Sequence, residues 1–340
     1  MKIELLSKEL NYYKANLHSH STLSDGSVTP EQMKEGYKAK GYSVLAITDH
    51  NVFLPHNDLT EDNFLMLNGL EYNIDPHDGS HRACHFCAIA KDPQTEIQPL
   101  FHREKYCTRA AVESRKFVKY DERLPNYERV YSGEGVSEMM QACRDAGFFV
   151  TYNHPVWSME RYSEYMSYDG MHAMEMVNYG SVTCGYPEYN EQIYDDMLTG
   201  GKRIFCVATD DNHTVGRDAF GAFTMIGAKM LTYECIMDAL FAGRFYASTG
   251  AQISAIYIED EKIHVEAPAC KEIRVFTGFR HFHESARVTG TREDPAVKLV
   301  MPLPARRCKY FRAVVTDFEG NKAYSNAYFF DALGVDQPAP

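Results

Sequence analysis

The chain has 340 residues, more than one ordinary domain but within the reach of one large barrel with an appendage. With 44% hydrophobic and 24% charged residues its composition is globular, which argues against extended disorder. The 35 Lys and Arg against 47 Asp and Glu give a net charge of −12, which argues against a nucleic-acid polymer as partner. The opening residues are charged and interrupted where a secretory signal would be apolar. No apolar run is long enough for a transmembrane helix, and nine irregularly spaced cysteines predict reduced thiols in a cytoplasmic setting.

Short apolar runs at 15–17, 43–48, 64–70, 85–90, 148–152, 172–177 and 203–209 predict seven strands. Between the first two, Thr29-Pro30-Glu31-Gln32 is a capping box with Pro at the first helical position, and Gly41 closes that helix. A second helix over 136–146 ends at Gly147, and a third over 187–198 ends at Gly200-Gly201. This alternation predicts parallel strands with crossover helices, in a barrel one strand short of the usual eight. The stretch 91–133 is long, strand-poor and locally basic (Arg103, Lys105, Arg109, Arg115, Lys116, Lys119, Arg123, Arg129). It is either a solvated excursion or a lid carrying substrate-binding cations. From about 252 the texture changes to short alternating runs at 253–258, 262–266, 272–277, 297–301, 311–316 and 323–330. They predict a small antiparallel β-sandwich over 251–334, with a tail at 335–340.

The chemistry gathers where the strands end. His18-Ser19-His20 and Ser24-Asp25-Gly26 follow the first run, Thr48-Asp49-His50-Asn51 the second, and Gly69-Leu70-Glu71 closes the third. Tyr152-Asn153-His154-Pro155 follows the fifth, and Thr209-Asp210-Asp211-Asn212-His213 the seventh. In parallel barrels the carboxyl ends of strands converge on the active site, so these groups are predicted to meet. The i, i+2 spacing of His18 and His20, repeated by Asp211 and His213, lets each pair grip one cation. Imidazole with carboxylate suits Zn, Mn or Fe, and the set is too large for one ion. Two or three divalent ions sharing the Glu71 carboxylate would use it all, and would activate water for attack on a phosphoryl group.

These motifs, in this order, resemble the four motifs of the PHP (polymerase and histidinol phosphatase) superfamily of metal-dependent phosphoesterases, over roughly residues 14–250. The resemblance implies a distorted (β/α)7 barrel of PHP type with a trinuclear site. The stretch 231–250 resembles a branch with a β-rich C-terminal extension, here a small antiparallel β domain after the 1–250 barrel. Carried over, the resemblance places His18, His20, Glu71 and Asp211 around one ion. Glu71, His85 and His154 would hold a second, and Asp25, His50 and His213 a third. It makes Glu71, Asp25 and His213 the catalytic residues. Asp25 stands where some relatives have His. His81 competes with His85, which is preferred because it directly opens the fourth run. Asp49 and Asp210 are expected to orient ligands or close turns.

Arg217 either clamps a substrate phosphate or makes an ordinary salt bridge. Trp157, just after the fifth-strand motif, either walls the pocket or packs in the core, with core packing preferred; Met174 and Met176 are expected in the core. The reading is a metal-dependent hydrolase cleaving phosphate esters, of a small phosphorylated metabolite or nucleotide, by attack of metal-activated water. Two alternatives stand beside it: a non-catalytic metal-stabilised scaffold, and an amidohydrolase-like C–N or ester hydrolase.

Overall fold

The computed structural model describes residues 2–279, 285–305, 308–335 and 337. Its first part runs β1 (Lys2–Leu6), β2 (Asn11–Asn16), α1 (Pro30–Ala39), β3 (Val44–Ile47), β4 (Leu65–Ile74) and β5 (Cys84–Ala90). There follow α2 (Ala111–Ser114), α3 (Gly133–Asp145), β6 (Phe148–Asn153), α4 (Tyr162–Ser167), β7 (Ala173–Asn178), α5 (Tyr179–Thr183), α6 (Glu191–Thr199) and β8 (Phe205–Thr209). The chain continues through β9 (Phe223–Ala228), α7 (Tyr233–Phe241) and β10 (Phe245–Ser248).

The helix signals act where they were read. The Thr29 side chain accepts the Gln32 N–H while the Gln32 side chain accepts the Thr29 N–H, and Gly41 leaves the helix with φ of +74°. Helix α6 starts at Glu191, later than expected. Residues 187–190 instead cross the end of β7, where Tyr189 bridges to Val177.

Strands β2 to β8 lie in sheet order, and all seven expected strands are present. Their directions differ from expectation. Pairs β2–β3–β4 and β6–β7–β8 are parallel, but β5 is antiparallel to both β4 and β6. The link from β4 to β5 explains this: residues 75–83 are too few for a crossover helix, which needs a dozen or more residues. Among the described residues no ladder joins β8 back to β2. Their ends meet instead through backbone bonds, Asp211 N–H to His18 O at 3.0 Å and His20 N–H to Asn212 O at 2.9 Å. A fully laddered (β/α)7 barrel is therefore not what these strands form; the architecture is α/β with a β-rich extension.

That extension comprises β11 (Ala255–Glu259), β12 (Lys262–Cys270), β13 (Glu272–Thr277), β14 (Ala286–Thr289), β15 (Ala296–Pro302), β16 (Tyr310–Thr316), β17 (Lys322–Ser325), β18 (Tyr328–Phe329) and a last turn, α8 (Phe330–Leu333). All its pairings are antiparallel. The first strand belongs here: β1 pairs with β11, in a four-stranded sheet ordered β1-β11-β12-β15. The other strands continue the large sheet, because β17 pairs with β10 and β16 with β13. Gly250 is thus a change of texture but not a break in the sheet. One apolar cluster, including Leu6, Ile256, Val265, Ile273, Phe311 and Val315, fills the space between the two sheets. Buried Arg312 ties the extension to the first unit, donating to both oxygens of Asp195 on α6 at 2.8 Å each. Of the tail at 335–340, only Val335 and Gln337 lie within the described residues. No described helix is long and apolar enough to cross a membrane.

Candidate metal centre

Two buried carboxylates shape the loops that carry the candidate ligands. Asp49 accepts from the Ser21 N–H at 2.8 Å, the Ser21 hydroxyl at 2.7 Å and the Ser24 hydroxyl at 2.6 Å, folding the loop between His20 and Asp25. Asp210 accepts the backbone N–H groups of Phe220, Gly221 and Ala222 and the Tyr37 hydroxyl. Both close turns, Asp49 through serine hydroxyls and one backbone N–H, Asp210 mainly through backbone N–H groups.

The nine predicted ligands meet around Glu71, which lies inside β4 rather than at its end. Glu71 Oε1 is 3.1 Å from His18 Nε2, 3.2 Å from His154 Nε2 and 3.3 Å from His85 Nδ1. Its Oε2 is 3.1 Å from His50 Nδ1 and 3.4 Å from His20 Nε2. Asp211 Oδ1 stands 3.1 Å from His20 Nε2 and 3.3 Å from His18 Nε2. Asp25 is more peripheral: its Oδ1 is 3.5 Å from His213 Nε2 and 3.7 Å from His20 Nδ1. His85 is the second residue of β5, and because that strand runs backwards its start reaches the same end of the sheet as the others' ends. His81 is exposed and outside the cluster.

The imidazoles are oriented for ligation. Nδ1 of His18 faces Glu175 Oε1 at 2.7 Å, that of His154 faces Ser158 Oγ at 3.1 Å, and that of His213 faces the Asp211 carbonyl at 3.0 Å. These contacts hold each ring by its Nδ1 and turn its Nε2 edge inward. Five buried donor atoms in the cluster (His20 Nδ1, His50 Nδ1, Glu71 Oε2, His85 Nδ1 and Asp211 Oδ1) make no hydrogen bond. Buried polar atoms are seldom left so, and this concentration fits divalent cations shared among imidazole and carboxylate.

The electrostatics agree. Burial would raise Glu71, yet the charges of His18, His85 and His50 hold its carboxyl well below the usual range. Asp211 and Asp25 are depressed likewise, against burial, by their histidines. Burial pushes His50 down to about 3, assisted by the charge of His20. His154 rises to about 9, because Glu71 and Asp211 outweigh its burial. The buried carboxylates thus demand positive charge close by.

The PHP domain family model matches residues 16–199, more than half of the chain. The chain belongs to the PHP domain family. Over 92 residues it is 38% identical to the DNA polymerase/3′-5′ exonuclease PolX of Bacillus subtilis, a match covering 22% of this chain and 16% of that much longer protein. Among solved structures it is similar to a two-domain protein of Bacteroides vulgatus containing a predicted PHP-like metal-dependent phosphoesterase, with 15% identity, TM-score 0.45, and 96% and 98% of the two chains covered. A predicted metal-dependent phosphoesterase of Bifidobacterium adolescentis gives 17% identity and TM-score 0.40, covering 62% of this chain and 90% of that one. An amidohydrolase of Chromobacterium violaceum gives 15% and 0.41, covering 68% and 96%.

Around this PHP centre stand residues that sequence reasoning passed over. Glu175, on β7 between the two buried methionines, is itself fully buried. It accepts from His18, from the His154 N–H at 2.9 Å, from Asn178 at 2.8 Å and from the Thr209 hydroxyl at 2.6 Å. A lone acid inside an apolar run was its sequence signal. Asn153 donates to Glu71 Oε1 at 2.7 Å and to Cys87 Sγ at 3.2 Å. Cys84 and Cys87 have CxxC spacing, but on a strand i and i+3 face opposite sides: Cys87 lies beside His18 and Glu71, while Cys84 joins the apolar core.

The centre opens on a cavity of about 530 Å³. Its lining includes Arg217, which is exposed, and Arg109 from the 91–133 excursion. Arg109 donates to Asp25 Oδ2 at 3.4 Å, and next to it the Ala110 N–H bonds Ser24 O at 3.1 Å. The other end of the excursion is tied down by Arg129, which donates to Asn51 Oδ1 at 2.7 Å and Asn73 O at 2.6 Å. Trp157, expected in the core, lines the cavity with 38% of its surface exposed. Its loop is held by buried Glu188, which accepts the Trp157 N–H at 2.7 Å, while the ring packs against His154 and His85.

Proposed function

We propose that the chain hydrolyses phosphate esters of small molecules with water as nucleophile, using two or three divalent ions drawn from Mn, Zn and Fe. The observation that carries this is the convergence of nine ligands, five with unpartnered donor atoms, at the floor of an open cavity. His18, His20, Glu71 and Asp211 would hold one ion, Glu71, His85 and His154 a second, and Asp25, His50 and His213 a third. When bound, such ions neutralise the phosphoryl group and lower the pKa of water.

The residues themselves divide the work. Glu71 faces different imidazoles with its two oxygens, the arrangement a bridging carboxylate needs. Glu175 and Ser158 fix the rings of His18 and His154. Arg217 and Arg109 supply positive charge at the cavity, offsetting the acidic bulk of the chain for an anionic substrate. Asp25, beside His213, is the acid closest to Arg109 and sets where that guanidinium rests. No described residue beyond Gly250 lines the cavity, so the β extension is assigned no ligand.

The test is a screen of sugar phosphates, nucleotides and dinucleotides with Mn, Fe and Zn, beside elemental analysis of gently purified protein. Two or three bound ions and single-turnover transfer of oxygen-18 from water to phosphate are expected. One ion or none that added metal fails to restore, a phosphorylated side chain, or amide cleavage alone would overturn the proposal.

A further inference from the structure

Trp157 is the sole tryptophan of the chain, and it lines the cavity of the metal centre. An indole left 38% exposed beside a catalytic cavity forgoes the burial that its large apolar surface favours. It is nonetheless held firmly. Its backbone N–H donates to Glu188 Oε2 at 2.7 Å, and the Val156 N–H donates to Oε1 of the same carboxylate at 3.1 Å. Glu188 is itself buried and receives Asn190 Nδ2 at 2.8 Å. The ring is braced edge-to-face by His154, with centroids 5.0 Å apart at 81°, and by His85, at 5.4 Å and 62°.

Both bracing imidazoles belong to the candidate metal centre, so the indole stands one ring away from where a phosphoryl group would be held. The cavity of about 530 Å³ falls in the range of about 300–1,000 Å³ that holds drug-sized molecules, and exceeds what a phosphate alone would fill. Its uncharged lining includes Gly180, Ser181 and Thr183, all with small side chains. A rigid, partly open aromatic surface in such a position recognises another flat ring, since stacking tolerates many ring types but requires planarity.

We propose that Trp157 is the platform for a planar aromatic group on the alcohol side of the ester, and that the preferred substrates carry one. This rests on the hydrolysis proposed above, which concerns the phosphate and says nothing about the alcohol. The test compares 2-phenylethyl phosphate with n-butyl phosphate, whose primary alkoxide leaving groups are alike. In wild type the ring should raise kcat/KM about tenfold, mostly through KM. Trp157→Phe should keep most of that preference, and Trp157→Ala should bring the ratio close to one with metal content unchanged. A ratio near one in wild type, or a preference that survives Trp157→Ala, overturns the assignment. Should neither ester be hydrolysed, the hydrolysis proposal is left to the screen above and the platform is judged by binding alone. In the metal-loaded protein, 2-phenylethylphosphonate should then alter the emission of the single indole at lower concentration than n-butylphosphonate; equal or absent responses overturn it.

Discussion

Glu175 and His18 form a buried pair, the carboxylate taking the imidazole Nδ1 at 2.7 Å. The same carboxylate also takes the His154 N–H, so one side chain positions candidate ligands from two loops. Removing such a partner typically weakens metal affinity or activity by about 10–100-fold. Glu175→Gln should therefore lose metal affinity in about that range, measured by competition with a chelator, while circular dichroism stays native. Unchanged affinity would show that the pair only fills the core.

Glu71 is the natural hub of the cluster, since every inward-facing imidazole except that of His213 lies within 3.4 Å of one of its oxygens. Glu71→Gln keeps the shape and removes the charge. Elemental analysis should show loss of at least one ion, and turnover should fall by orders of magnitude in a protein that still melts cooperatively. Full occupancy with full turnover would mean that the carboxylate bridges nothing.

The convergence of the candidate ligands was legible because they interrupt short apolar runs with His, Asp and Glu in characteristic triplets. Long-range strand pairing was not legible: β1 pairs with β11, some 250 residues away, and nothing local in Lys2–Leu6 marks it as part of the extension. The reversal of β5 was concealed because alternating apolar residues read the same in either direction, although the short link at 75–83 contained the clue. Glu175 was hidden by its own setting, since burial between Met174 and Met176 looks like core until its partners are seen. Trp157 was misplaced for the opposite reason. Large aromatics usually pack inward, and here the pocket-wall position is the one found: Glu188 holds the loop while His154 and His85 contact the ring at the rim.

That rim position provides a reporter. Trp157 lies 5.0 Å from the ring of His154 and 5.4 Å from that of His85, and no other tryptophan contributes emission. Titrating paramagnetic Mn into metal-free protein should quench the fluorescence in step with occupancy, and His85→Ala should weaken the response. Emission that stays constant while elemental analysis records bound ions would remove His85 and His154 from the metal centre.

Glu160 gives a test of stability separate from the metal ligands. Its carboxyl is buried and takes hydroxyl hydrogen bonds from Tyr152, Tyr168 and Tyr131. Burial pushes its pKa up to about 7, and those hydroxyls only partly restrain the rise. In the unfolded chain the group returns to about 4.3, so the folded state prefers the protonated acid. Its contribution is then fully present below about pH 4.3 and is lost as pH rises through about 7. The gap corresponds to about 3–4 kcal/mol at most, and relaxation of the hydroxyl network reduces it. Glu160→Gln stays neutral throughout, so the stability of the wild type relative to this variant should fall by about 2–3 kcal/mol between pH 4.5 and pH 8. Paired denaturant titrations of both proteins in chelator, with bound metal removed, measure that difference directly. A difference that stays flat across the range would mean that Glu160 is ionised in the fold at neutral pH, held so by its three tyrosines.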